Sequence, residues 1–423
     1  MPSLSDTPRV ADVVLSPGLG GSYFDDQAAV REGAVRDGRT YRGTPVTEGF
    51  RAVRMPGEAV SVMLILDDGY VAIGDCALVH YAGYGGRDAP FRAADLMRAI
   101  MESVAPTLIG QSASGFRRLA EEVGEACDQS GRPLHSAIRY GVTQALLDAA
   151  AWSRRVTMAE LVQEVYQLAT ALAQVPIFCQ SNSHWDSVDS MIMKRAAVIP
   201  HGWITNVQEH VGPKGEKLRE YVEWISRRVR QIGESDYTPI IHIDVYGTIG
   251  RAFGENVDAV ASYFDELAAA ASPHELRVEG PLDAGTRTAQ IEKMRELRHA
   301  LQVRGSKVGI VADEWCNTLE DVQEFADAGA ADIIHVKTPD LGGIDKTVEA
   351  LLYCRKAGVG AYSGGSANET DRSAQVSTNV AIACAATQCL AKPGLGVDEG
   401  LMIVSNEMNR VLALAARRGR RNQ

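Results

Sequence analysis

Long apolar runs are missing from this sequence: no stretch approaches about 18 consecutive apolar residues, the length a membrane span needs, so no membrane-spanning segment is expected. The opening MPSLSDTPRVADVVLSPG lacks a basic start followed by an apolar block, and so does not read as a secretory signal. Positive charge is not in surplus either. The formal net charge is −11, which argues against nucleic acid or an anionic membrane as the main partner. The 7 cysteines include no C-x-x-C pair, so neither a zinc site nor a thioredoxin-like motif is signalled. Scattered single cysteines suit a reducing cytosol, and a cytoplasmic location is expected. There is no P-loop, and GYGGRD at 83–88 does not fit a dinucleotide fingerprint, so no organic cofactor is expected. That stretch reads instead as a loop able to close over a site, with Arg87 as a salt-bridge residue. The basic tail AARRGRRNQ reads as a solvated helix end.

What is present is an ordinary globular composition, 45% hydrophobic and 23% charged. A chain of 423 residues exceeds one small core, and one large barrel with a second lobe is the natural expectation. Up to about residue 80 the pattern is strands and turns. SVMLILDDGYVAIGDCALVHY reads as two β runs joined at Asp67-Asp68-Gly69. From about 91 to 172 apolar residues recur at helical spacing. Residues 1–165 are therefore expected to form an α+β lobe. Over 166–423 short apolar runs alternate with helical stretches: VPIFCQ, YTPIIHIDVYG, HELRVEGPLD, SKVGIVADEW, ADIIHVKTPD and GVGAYSGGS. That alternation implies a parallel (β/α) barrel.

Four successive runs end on a polar residue: Asp244, Glu279, Asp313 and Lys337. Each step is long enough for one strand, one helix and two loops, so one such residue is delivered per unit at the barrel end where active sites form. Strand parity puts His242 with Asp244, and His335 with Lys337, on the interior face. N-capping or loop solvation explains a single strand-end acid but not this ordered set. Three converging carboxylates call for a hard divalent cation, magnesium or manganese. A lysine beside it, partly desolvated, is expected to have a lowered pKa and to act as a carbon base, with the metal stabilising the enediolate formed.

The same order of residues resembles the enolase superfamily. Within it, VKTPDLGG, VGPKGEKL, GGSANETDRS and KPGLGVDEGLMIV resemble the methylaspartate ammonia-lyase family, and the likeness runs from DDGYVAIGDCA and GYGGRD to NEMNRVLAL. The resemblance implies a (β/α)7β TIM-like barrel with an N-terminal capping domain, a homodimer, and amino-acid degradation as in glutamate fermentation. It implies elimination of ammonia from threo-3-methylaspartate, a small amino-dicarboxylate, to give mesaconate. By that resemblance Lys337 is the base that removes the C3 proton and His201 acts on the opposite face. Asp244, Glu279 and Asp313 hold Mg2+, with a monovalent cation such as K+ as a candidate assistant. Gln180, His335, Ser366 and Ala367 are substrate contacts.

The sequence departs from the family pattern at four contact positions. Histidine stands at 335 and at 80 where glutamine is usual, and Ser366-Ala367 replaces Thr-Cys. SGGSANETDRS follows a strand and opens a helix, a setting for a substrate carboxylate; the plainer reading is a glycine turn with Asn368 as N-cap. His184, Trp185, His210, His242 and Glu314 lie nearby in sequence. None is assigned a primary catalytic role: His242 reads as core packing and Glu314 as support for the metal acids. The alternatives are another enolase-superfamily reaction (dehydratase, racemase or cycloisomerase) and a catalytically silent homologue. Mesaconate formation, magnesium binding and Lys337→Ala discriminate among them.

Overall fold

A computed structural model describes residues 7–180, 185–202 and 204–421. The long strand β1 (Val10–Asp25) opens the chain, and a short hairpin, β2 (Val35–Asp37) and β3 (Thr40–Arg42), follows. Then β4 (Arg54–Leu66) turns into β5 (Val71–Cys76). Asp67-Asp68-Gly69 makes that turn as expected, with Gly69 at φ 87°, a left-handed conformation glycine adopts without cost. The three longer strands form an antiparallel sheet in the order β1–β4–β5. Helix Ser136–Arg154 lies across it, and glycine on both sides allows the close approach. A Cβ on Gly74 would fall 2.2 Å from the Gly141 carbonyl, and one on Gly141 would fall 2.5 Å from the Cys76 nitrogen.

Eight parallel strands then close a barrel: β6 (Ile177–Cys179), β7 (Val198–Ile199), β8 (Ile240–Asp244), β9 (Leu276–Glu279), β10 (Gly309–Ala312), β11 (Ile333–Lys337), β12 (Gly360–Gly364) and β13 (Gln388–Ala391). Each is followed by a helix, the last being Val397–Arg421, which packs on β6 and β13. Near its end Arg418 donates to Glu160, so the basic tail is partly paired rather than only solvated. The expected parity holds. Ile241, Ile243, Ile334 and Val336 join the apolar layer under the helices. Phe178, Val198, Val311, Ile333, Tyr362 and Leu390 fill the barrel interior. Among the described residues no helix is long and apolar enough to cross a membrane.

Candidate active site

The four strand-end residues converge at one rim of the barrel. Asp244, Glu279 and Lys337 are the last residues of β8, β9 and β11, and Asp313 directly follows β10. Asp244 pairs in register with Glu279. All are buried: Asp244 is 2% exposed, Glu279 0%, Asp313 4% and Lys337 8%. Lys337 Nζ lies 2.6 Å from Asp313 Oδ1. His335 Nδ1 lies 2.7 Å from Glu279 Oε1 and 2.9 Å from Asp313 Oδ1. On the other side, His242 Nε2 is 2.9 Å from Glu279 Oε2, and Gln388 contacts its Nδ1 at 2.9 Å. Arg277 in turn donates to Gln388 at 2.6 Å. His242 is therefore both a core residue, stacked on Phe178, and a partner of a site acid. Parity placed it on the right face; its reach to Glu279 depends on the neighbouring strand and could not be read from one run.

Gln180 follows β6 and His201 lies just beyond β7; backbone bonds from His201 N to Cys179 O and from Asp244 N to His201 O carry the ladder past the strand ends. Gln180, His201, His335, Lys337, Ser366 and Ala367 line one cavity of about 530 Å³, counting its open mouth, together with Asp244 and Asp313. Sequence reasoning missed Tyr246 as a wall residue; its φ of 46° is rare for a residue with a side chain. Tyr81 and Leu395 were also missed.

The capping lobe supplies one side of the mouth through Val79, His80, Tyr81 and Arg87. The His80 amide donates to Ser366 Oγ at 3.0 Å, and the His80 ring lies 2.9 Å from Asp25, which Arg54 grips at both oxygens. Arg87 is no surface residue: it donates to Asp340 at 2.8 Å and to Glu314 at 3.1 Å. Asn317 ties down the same loop through the Gly85 carbonyl at 2.6 Å. Glu314 thus serves Arg87, with Lys337 4.0 Å away, rather than the three acids. The helix after β12 is capped by Thr370, not Asn368; its capping box with Ser373 starts the helix at Asp371. Asn368 instead donates from its side chain to the Leu78 carbonyl of the cap. Trp185 packs on Tyr221 and Trp224, and the ring of His210 accepts from Asn206; neither lines the cavity. His184 lies outside the described residues.

Electrostatics test whether a cation fits here. Burial, reinforced by the charges of Glu279 and Asp313, pushes the Asp244 carboxyl well above the usual carboxylate range. Burial pushes Glu279 upward too, but the His335 and His242 rings outweigh it and bring it to about 2. Lys337 and His335, whose protonated forms the neighbouring acids favour, therefore balance Glu279 and Asp313 and leave Asp244 in repulsion, which a divalent ion relieves. Glu279 groups closely with Asp244 and His201 on one side and with Asp313 and His335 on the other, and the oxygens of the three acids suit magnesium. Lys337 departs from the expected direction. Burial disfavours its ammonium, yet the Asp313 and Glu314 carboxylates prevail and hold it above the ordinary lysine value. The expected lowering requires the charge of Asp313 to be engaged elsewhere, as a bound cation would do, leaving burial to act. His201 is pushed down to about 4 by burial, so it is a neutral imidazole at pH 7.

A capped parallel barrel with three acids and a lysine on consecutive strand ends defines an enolase-superfamily fold. The comparisons are narrower. Residues 8–167 match the methylaspartate ammonia-lyase N-terminus model and residues 169–417 the C-terminus model. The methylaspartate ammonia-lyase of Clostridium tetanomorphum is 53% identical over 97% of this chain and 100% of its own. The crystal structure of β-methylaspartase from that organism, a magnesium complex, superposes with a TM-score of 0.93 at 52% identity, covering 97% of this chain and 100% of that one. The Citrobacter amalonaticus enzyme, solved with (2S,3S)-3-methylaspartic acid, gives 0.93 at 45% identity, covering 96% and 100%. The chain belongs to the methylaspartate ammonia-lyase family.

Proposed function

We propose that this protein is a magnesium-dependent carbon–nitrogen lyase that converts threo-3-methylaspartate to mesaconate and ammonia. One observation carries the reading: a buried lysine sits against one of three acids on consecutive strand ends, within a chain related to ammonia-lyases along nearly its whole length. Lys337, as the free amine, takes the proton from C3. The electron pair of that C–H bond becomes the new C2–C3 double bond, and the C2–N bond breaks to release ammonia. Asp244, Glu279 and Asp313 would hold magnesium, whose positive charge would stabilise the negative charge that grows as the proton leaves. His201, a neutral ring on another side of the cavity, offers a hydrogen bond or a second proton-transfer site. Gln180, Ser366 and Ala367 orient the second carboxylate, and the cap beside the mouth limits the access of water.

The same proposal takes residues 1–165 as the capping domain and 166–423 as the barrel, a homodimer as the assembly, and the cytoplasm as the location. The free cysteines, all buried except Cys127, suit a reducing compartment. A monovalent cation such as K+ is included as an assistant, to be checked by replacing it with a bulky organic cation. The direct test is incubation with Mg2+ and (2S,3S)-3-methylaspartate while following the ultraviolet absorbance of the conjugated product. Magnesium-dependent growth supports the reading, and its absence with folded protein refutes it.

A further inference from the structure

His335 stands where the family pattern has glutamine, and its ring is fixed on a face and both edges. The face stacks on Tyr362, with centroids 4.0 Å apart and planes at 18°. The far edge presses on Gly364, where a Cβ would fall 1.9 Å from Nε2. The near edge directs Nδ1 at Glu279 Oε1 and Asp313 Oδ1, at 2.7 and 2.9 Å. A carboxylate oxygen only accepts, so Nδ1 carries the hydrogen. Nε2 has no partner among the described residues and is the bare side of the ring. The Nδ1 hydrogen is thus given to Glu279 Oε1, with Asp313 Oδ1 2.9 Å away, and the ring is held in one orientation. His242 mirrors the arrangement on the other oxygen of Glu279, stacked on Phe178 at 4.1 Å and 15°.

We propose that His335 is a positioning residue of the cation site, an N–H donor that fixes Glu279 beside Asp313, and not a substrate contact. The proposal rests on the reading of Asp244, Glu279 and Asp313 as a magnesium site. It gives the histidine at this position a reason that a substrate role does not: a glutamine on a flexible stem can turn its amide to a ligand, whereas a stacked imidazole holds one orientation. Groups that orient metal ligands typically change metal affinity by about 10–100-fold when removed.

The test uses the full chain without substrate. Mg2+ binding is measured by calorimetry and Mn2+ binding by the loss of its free-ion spin-resonance signal, for the wild type and His335→Gln. The expected result is cation binding about 10–100-fold weaker in the variant, with mesaconate affinity at saturating cation unchanged. Gly364→Ala keeps the imidazole but displaces it, and is expected to weaken cation binding in the same direction; it carries the test if His335→Gln does not fold. Unchanged cation affinity in the folded variant overturns the proposal. So does a loss confined to mesaconate, or a nitrogen directly bonded to Mn2+ in pulsed spin resonance of the wild type. A wild type that binds no divalent cation refutes the magnesium reading itself, a distinct result from failure of the histidine alone.

Discussion

Lys337 Nζ and Asp313 Oδ1 are 2.6 Å apart, so the proposed base and a proposed cation ligand share one charge balance. While Asp313 is free to pair, it keeps the lysine protonated. A cation drawing on Asp313 lets burial lower the lysine. Mg2+ is therefore expected to shift the midpoint for acylation of Lys337, mapped by mass spectrometry across pH, to lower pH. A midpoint indifferent to Mg2+ would separate the two residues functionally.

Asp244 gives the metal-free protein a characteristic pH dependence. Burial and two neighbouring carboxylates raise its folded pKa above the unfolded value of 3.8. Between those values the unfolded chain has already lost the proton that the folded one keeps, so this group makes stability fall as pH rises from about 3.8. Asp244→Asn removes that loss. Melting in EDTA is expected to show the variant more stable than the wild type at neutral pH, and insensitive to added Mg2+, which raises the melting temperature of the wild type.

Arg87 couples the cap to the barrel. Its side chain is 2% exposed, and that of its partner Asp340 is 1% exposed. Arg87→Met leaves the aspartate buried without a counter-charge, which costs about 3–5 kcal/mol. Urea unfolding measures the loss. Asp340→Asn in the same chain is expected to recover part of it, since the stranded charge is then gone.

The fold was legible where strands were long and ended in chemistry. Six of the eight barrel strands announced themselves as apolar runs. The other two did not: Val198–Ile199 is only two residues long, and Gln388–Ala391 is cut off by Lys392-Pro393 and opens with a buried glutamine. The three acids and the lysine were visible because parity and the one-per-unit rhythm act within single strands. The partners of Arg87, the place of Tyr81 and the link from His242 to Glu279 were hidden because they depend on contacts between elements far apart in sequence. The direction of the Lys337 shift was misread for a related reason: its nearest charge, Asp313, comes from the neighbouring strand and acts at 2.6 Å.

The central claim is that Lys337 removes the C3 proton. In D2O with Mg2+ and (2S,3S)-3-methylaspartate, mass spectrometry follows mesaconate formation and C3 deuteration together. Lys337→Gln is expected to lower both by about 10²–10⁴-fold while its Mn2+ affinity persists. A variant that still exchanges the C3 hydrogen or forms mesaconate at the wild-type rate would contradict the account.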